Sequence, residues 1–265
     1  MSVYRRPEYT RMVLNALRHN LGSQKYRLVV AVDCEGSRPN QEVLRIVTEQ
    51  TWPVRLDLVL ASEHQGCNRT IFSALDKAFE DSDYVIHIED DILVARDALG
   101  WFEWARDSYR DDKFIFTVTD WRHPSGWLPD SERRIWEKEH SQARREGFFC
   151  CWGWATWQDR WEEIKANWTQ KGDYELSWDV RISELRGDRV QIAPMISRAV
   201  NIGARLGTHR GHHPLKYWRG ADSVFEIPEF YELCTEEEER KSFGNSQGDV
   251  MLTETGRPNV GSAGV

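Results

Sequence analysis

The chain has 265 residues, a net charge of −8, 40% hydrophobic residues and 29% charged residues. That is enough for one large soluble domain or two small ones with a proper core, and the acidic balance argues against a general nucleic-acid coat. No run of 18 apolar residues predicts a transmembrane helix, and the N-terminus lacks an apolar signal-peptide core, so a cytoplasmic protein is expected.

Elements follow in alternation. RPEYTRMVLNALRHNL, with Pro7 in a first-turn position, reads as a helix. YRLVVAVD (26–33) reads as a buried strand ending in an acid, and NQEVLRIVTEQ (40–50) as a helix capped by Asn40. VRLDLVLAS (54–62) is a strand, NRTIFSALDKAFE (68–80) a helix and YVIHIEDD a strand. DALGWFEWARDSYR (97–110) is a helix and KFIFTVTDW (113–121) a strand. Strands separated by single helices predict a mostly parallel α/β sheet with helices on both faces, and ligands in such sheets sit at the carboxyl ends of strands.

The second half is less regular. SERRIWEKEHSQARREG (131–147) is read as an excursion or exposed helix, WQDRWEEIKANW and SWDVRISELRG as helices, and VQIAPMISRAVNIG as a strand followed by a turn. We expect one domain over 1–240, divided into 1–121 and an elaborated 122–240, with a disordered tail at 241–265.

Three features carry chemistry. Glu89, Asp90 and Asp91 stand together behind a core strand. Adjacent carboxylates repel, so a hard cation, Mn²⁺ or Mg²⁺, held with ligand phosphates would explain them as well as solvated loop acids would. Thirteen Trp, among them Trp152, Trp154 and Trp157 around Gly153, suit either a sugar-stacking platform or core packing. The stretch RLGTHRGHHPLKYWRG holds four Arg/Lys, three His and no acid, a basic island on an acidic chain. The five Cys have no metal-type spacing and are expected to be reduced thiols.

EDD after an apolar strand, followed by ILVARDALGWFEWA, resembles the acid signature of GT-A glycosyltransferases, closest to the N-acetylglucosaminyltransferase I branch and its bacterial and viral relatives. RRPEYTRMVLNAL, VVAVDCEG, GFFCCWGWATWQDRW, SWDVRISE and APMISRAVNIG are similar to further segments of that family in the same order. The resemblance departs at the start, where MSVY replaces a full first strand; either that strand is very short or the true start lies upstream.

The resemblance implies a GT-A fold: a Rossmann-like, mixed, mostly parallel sheet flanked by helices, with residues 1–121 binding a nucleotide sugar, UDP-linked by expectation, and 122–240 serving the acceptor. It implies an inverting transferase of hexosyl or N-acetylhexosaminyl type in which Asp179 is the base and Asp91 the direct metal ligand. Glu89 and Asp90 would bond the sugar and ribose, and Asp33 and Arg6 would frame the nucleobase and ribose. Trp152, Trp154 and Trp178 would form the acceptor site. Without the resemblance, Asp179 is only a favourable first-turn acid of a helix and Arg6 a surface ion-pair partner. Arg210 and Lys216 of the island are candidates for the diphosphate, with Arg219 beside them. His209, and less so His212 and His213, are candidates for metal or phosphate, and the island is expected to close as a lid. A glycan is the first acceptor to expect and a hydroxymethylated base in viral DNA the second, which points to a bacterial or virus-infected cell.

Two other classes compete. A nucleotidyltransferase would carry a Gly-rich phosphate loop, and residues 1–30 offer only Gly22. A non-catalytic carbohydrate-binding protein would leave the acids without a task.

Overall fold

A computed structural model describes residues 1–122, 141–169, 172–173, 175–203 and 232–233. The strand β1 is short, Ser2–Val3, and α1 (Pro7–Arg18) follows with Pro7 in its first turn. Then come β2 (Arg27–Val32), α2 (Arg38–Thr48), β3 (Arg55–Leu60), α3 (Cys67–Phe79), β4 (Tyr84–His87), β5 (Ile92–Val94), α4 (Ala98–Tyr109) and β6 (Ile115–Thr119). The back half supplies β7 (Gln142–Glu146), β8 (Trp154–Trp157), α5 (Gln158–Ala166), α6 (Trp178–Arg186), β9 (Val190–Pro194), β10 (Ala199–Asn201) and β11 (Glu232–Leu233).

The front strands pair in parallel in the order β1-β2-β3. A parallel bridge from Ser2 to Glu89 joins β1 to the chain just past β4. From there the order is β4-β8-β6-β9-β7-β11, with β8 antiparallel to both β4 and β6 and β7 antiparallel to β9. The sheet is therefore parallel in front and mixed behind. Strand order reverses between β1 and β4, since β2 and β3 lie on one side of β1 and β4 on the other. That reversal is where a crevice opens beyond the carboxyl ends of the strands.

Alternation along the strands sorts the core into two faces. Val30 and Val32 pack with Val13, Leu17, Val43 and Val47 of α1 and α2, while Val118, Ala155 and Ile192 pack with Trp101 and Phe102 of α4. On the other face Phe116 and Trp154 meet Ile71 and Leu75 of α3, Trp161 of α5 and Ile182 of α6. A fully buried ion pair, Arg198 Nε to Asp97 Oδ2 at 2.8 Å, ties the start of α4 to the approach of β10.

Two local readings are corrected. Asn40 is not the cap of α2; Ser37 is, accepting from the Asn40 amide. Asn40 is buried one turn in, where its side-chain amide donates to Tyr4 O (2.7 Å) and Asp33 O (2.8 Å), joining the ends of β1 and β2. The segment 142–146, placed in an excursion or helix by its polar composition, is strand β7, with Ala143 as its fully buried residue. Residues 131–140 of that excursion, the basic island and the 241–265 tail lie outside the described residues.

Candidate active site

Proline sets the site's first residue. Pro7 starts α1, so Arg6 is its N-cap, with non-helical backbone and its carbonyl bonded to the Thr10 amide at 2.9 Å. From there the Arg6 guanidinium reaches Asp91 Oδ2 at 2.6 Å and also pairs with Asp90 Oδ1. Part of the answer to three adjacent acids is thus Arg6, from a helix start more than eighty residues away. The surface-pair reading of Arg6 is replaced by this partly buried clamp.

One guanidinium does not balance three carboxylates. Asp90 is buried and its Oδ2 has no partner; burial outweighs Arg6 and pushes its pKa up to about 6. Glu89 is pushed well above the usual carboxylate range, first by burial, then by Asp91, with Arg6 opposing and Asp90 and Asp179 adding. Asp179 therefore lies near enough to Glu89 to raise its pKa. Cys151 lies there too: its thiol is pushed up by burial, then by Cys150, Glu89 and Asp179.

Asp91 is also held from behind. Its carbonyl accepts the Ile202 amide at 2.8 Å, and a Cβ on Gly203 would lie 2.2 Å from Asp91 Oδ2. Residue 203 must therefore lack a side chain for the carboxylate to stand where it does, a requirement the sequence reading missed.

Asp33 sits at the end of β2, buried, with both oxygens engaged. They accept from the amides of Gln65 (2.8 Å) and Gly66 (3.0 Å), and His64 Nδ1 lies 2.9 Å away. His64 in turn stacks on Tyr4, with ring centroids 5.0 Å apart. Asp33 holds the loop before α3 and, through His64, the Tyr4–His64 stack.

The tryptophans divide. Trp154 is fully exposed to the core and not to solvent (0% accessible), and Trp178 is 5% accessible; their rings stack at 5.9 Å between His87 and Phe149. A buried ring cannot offer a face to a sugar, so the platform reading is withdrawn for both. Trp157 is likewise buried. Trp152 is partly exposed and packs edge-on against Trp121 at 4.8 Å. Gly153, at φ +65°, turns the chain between the exposed and the buried Trp. Its missing side chain makes room for Asp120, whose Oδ1 would be 2.1 Å from a Cβ there. Asp120 is fully buried, and neither of its carboxyl oxygens has a hydrogen-bond partner.

Asp179 lies in the first turn of α6, half-buried, and its Oδ1 accepts from the Ser177 hydroxyl. His209, His212, His213, Arg210, Lys216 and Arg219 lie outside the described residues. Among the described residues no group of three metal-ligating side chains is gathered, and no helix is long and apolar enough to cross a membrane.

A parallel front sheet, reversal of strand order between β1 and β4, and acids at that reversal define the GT-A glycosyltransferase fold, which structural comparison supports. The S. aureus TarS fragment 1–349, solved with UDP, superposes with a TM-score of 0.52 at 12% identity, over 75% of this chain and 57% of that one. The mannosyltransferase PcManGT of Pyrobaculum calidifontis, solved with GDP-Man and Mn²⁺, gives 0.48 at 16% identity, over 73% and 52%. The sequence matches the GNT-I family over residues 1–219, and the chain belongs to that family. An alpha-1,3-mannosyl-glycoprotein 2-beta-N-acetylglucosaminyltransferase of Arabidopsis thaliana is 28% identical over 132 residues. That match spans 49% of this chain and 28% of the relative's length.

Proposed function

We propose that the chain transfers a sugar from a UDP-sugar, with N-acetylglucosamine the first donor to test, to a hydroxyl of a glycan, with inversion at the anomeric carbon. The observation that carries this reading is the set of acids at the β1/β4 reversal, with Asp90 and Asp91 clamped by Arg6 and Glu89 beside them. The family match and the Arabidopsis relative support the donor and acceptor classes.

The residues fit a divalent cation of the hard type. Asp90 and Asp91 share one Arg with Glu89 next to them in sequence, a set short of positive charge, and Mg²⁺ or Mn²⁺ is commonly held by one or two carboxylates with substrate phosphates supplying other oxygens. Asp91 would hold the ion, supported from behind by Gly203. When bound, the ion neutralises charge on the departing diphosphate.

The chain's own residues do the rest. Asp179 takes the proton of the acceptor hydroxyl as its oxygen bonds to the anomeric carbon. The bond from that carbon to the diphosphate oxygen breaks on the opposite face, and the electron pair leaves with the nucleotide. Arg6 keeps Asp90 and Asp91 oriented, and Glu89 meets sugar hydroxyls. Trp152 offers the partly exposed ring beside which an acceptor sugar can stack. The family match favours a glycan over a DNA acceptor.

The test is transfer of radiolabelled sugar from a UDP-sugar panel to oligosaccharides, plain DNA and hydroxymethylated DNA, with Mn²⁺ and with chelator. Transfer to oligosaccharides that stops in chelator is the expected result. Transfer to hydroxymethylated DNA alone would overturn the acceptor, and full activity in chelator would overturn the metal.

A further inference from the structure

Neither of the two helices that flank the crevice caps its own start. Helix α3 begins after Gly66, which has no side chain, and α6 begins after Ser177, whose hydroxyl is turned to Asp179 instead. An uncapped helix leaves its first amides without partners, and a buried amide without a partner is costly.

Each helix is capped by the other's segment. The Asp173 carboxylate, just before α6, accepts from the amides of Cys67 (2.7 Å) and Asn68 (2.9 Å) in the first turn of α3. Asn68, 3% exposed, returns the contact. Its Oδ1 accepts from the Trp178 amide at 2.9 Å, and its Nδ2 donates to Leu176 O at 3.0 Å. The fit leaves no slack, because a Cβ on Gly66 would lie 2.8 Å from Asp173 Oδ2 at a φ of +83°. Trp178 is the residue before Asp179, so Asn68 grips the chain one residue from the candidate base. The same turn of α3 follows directly on Gln65 and Gly66, whose amides are held by Asp33.

We propose that Asn68, with Asp173 as its counterpart, is a positioning residue for Asp179. It fixes the first turn of α6 against α3, so that the base faces the acid-lined wall of the crevice. The inference rests on the reading of Asp179 as the base. Asn68 touches no reacting atom and acts through the Trp178 amide. A shift of about 1 Å in a catalytic group can cost about 10²-fold in rate, so the clamp's effect belongs in kcat and not in donor affinity.

The test is a double-mutant cycle with Asn68→Ala, Asp179→Asn and both together, reading kcat, donor Kd by calorimetry and acceptor KM. We expect Asn68→Ala to lower kcat by about 10- to 10²-fold, with donor Kd within about twofold. In the double variant the effect should vanish, leaving the rate of Asp179→Asn alone, because a missing base cannot be misplaced. Losses that multiply, or a loss confined to donor Kd, would overturn the inference. A slow Asp179→Asn beside a full-speed Asn68→Ala overturns the inference and leaves the base assignment standing. A full-speed Asp179→Asn overturns the base assignment and this inference with it. Should Asn68→Ala fail to fold, the half-buried Asp173→Asn, which keeps one acceptor oxygen, enters the same cycle. A smaller fall in kcat with the same non-additivity is expected, and multiplied losses would again contradict the proposal.

Discussion

The front and back halves of the sheet solve opposite problems with buried polar groups. In front, Asp33, Asp90 and Asp91 stand at strand ends, and each is answered from far along the chain: Asp33 by the loop amides of Gln65 and Gly66, Asp90 and Asp91 by Arg6. Behind, the strands are mixed, the core is a set of packed indoles, and one acid, Asp120, is buried with no hydrogen bond to its carboxyl. The front concentrates charge that a ligand can use. The back supplies rigidity, with Trp152 among the rings left partly exposed. Charge at the strand-order reversal, with the base Asp179, should therefore govern turnover, and substitutions in the packed core behind should mostly change stability.

The largest effect should come from Asp91→Asn. The size is kept and the charge lost, so turnover should fall by about 10³-fold or more, the several kcal/mol that metal assistance supplies, while the melting temperature changes little. Steady-state kinetics beside thermal denaturation would show it. Near-normal turnover would erase the contrast between the halves.

Next comes Trp154→Ala. Emptying a fully buried indole site should cost about 3–5 kcal/mol of stability, measured by urea denaturation. Whatever folded protein remains should keep its acceptor KM, because the ring has no surface to offer. A raised KM with unchanged stability would restore Trp154 to the acceptor site.

Asp120 sharpens the comparison through pH. Burial raises its folded pKa well above the usual value, with Arg198 opposing and Asp97 reinforcing. The folded state thus keeps a proton that the unfolded state loses near pH 4. The sign follows: this group's contribution favours folding at low pH and is lost as pH rises from about 4 toward the raised value, at up to about 1.4 kcal/mol per pH unit. Asp120→Asn cannot ionise, so urea melts across pH 4–7 should show that slope removed and the variant gaining on the parent as pH rises. Parallel curves would mean that Asp120 is ionised in the fold.

The smallest effect should be that of Trp152→Ala. Loss of one partly exposed stacking ring should raise acceptor KM by about threefold to tenfold, in line with about 0.5–1.5 kcal/mol for ring contacts, with kcat nearly unchanged. A lower kcat at constant KM would place Trp152 in the support of Asp120 and Gly153 instead.

Much of the front half was legible because its signals are local. Apolar runs of strand length alternate with amphipathic helices, and acids stand where the runs end. The pattern of Glu89 to Asp91 and the segment around Asp179 were readable together with the resemblance. What escaped depends on contacts between distant positions. Nothing in NRTIFSALDK shows that Asn68 meets Trp178, nor in GCNR that Gly66 must yield to Asp173. In WGW two identical residues flank a glycine, and only the turn at Gly153 sends one into the core and leaves the other partly exposed. Strand β7 was hidden because QARRE carries a single apolar residue; its Arg144 and Glu146 form an ion pair at 3.2 Å within the sheet. Asn40 looked like a cap because a buried Asn that bonds two strand ends has the composition of one.

The central claim is that Asp91, set at the strand-order reversal and clamped by Arg6, is the site through which a divalent cation holds a nucleotide diphosphate. Calorimetric titration of UDP into the parent protein and Asp91→Asn, each with Mn²⁺ and with chelator, tests it directly. The account predicts that the parent binds UDP tightly only with Mn²⁺, and that Asp91→Asn loses this gain in affinity. Equal UDP affinity in all four titrations would contradict it.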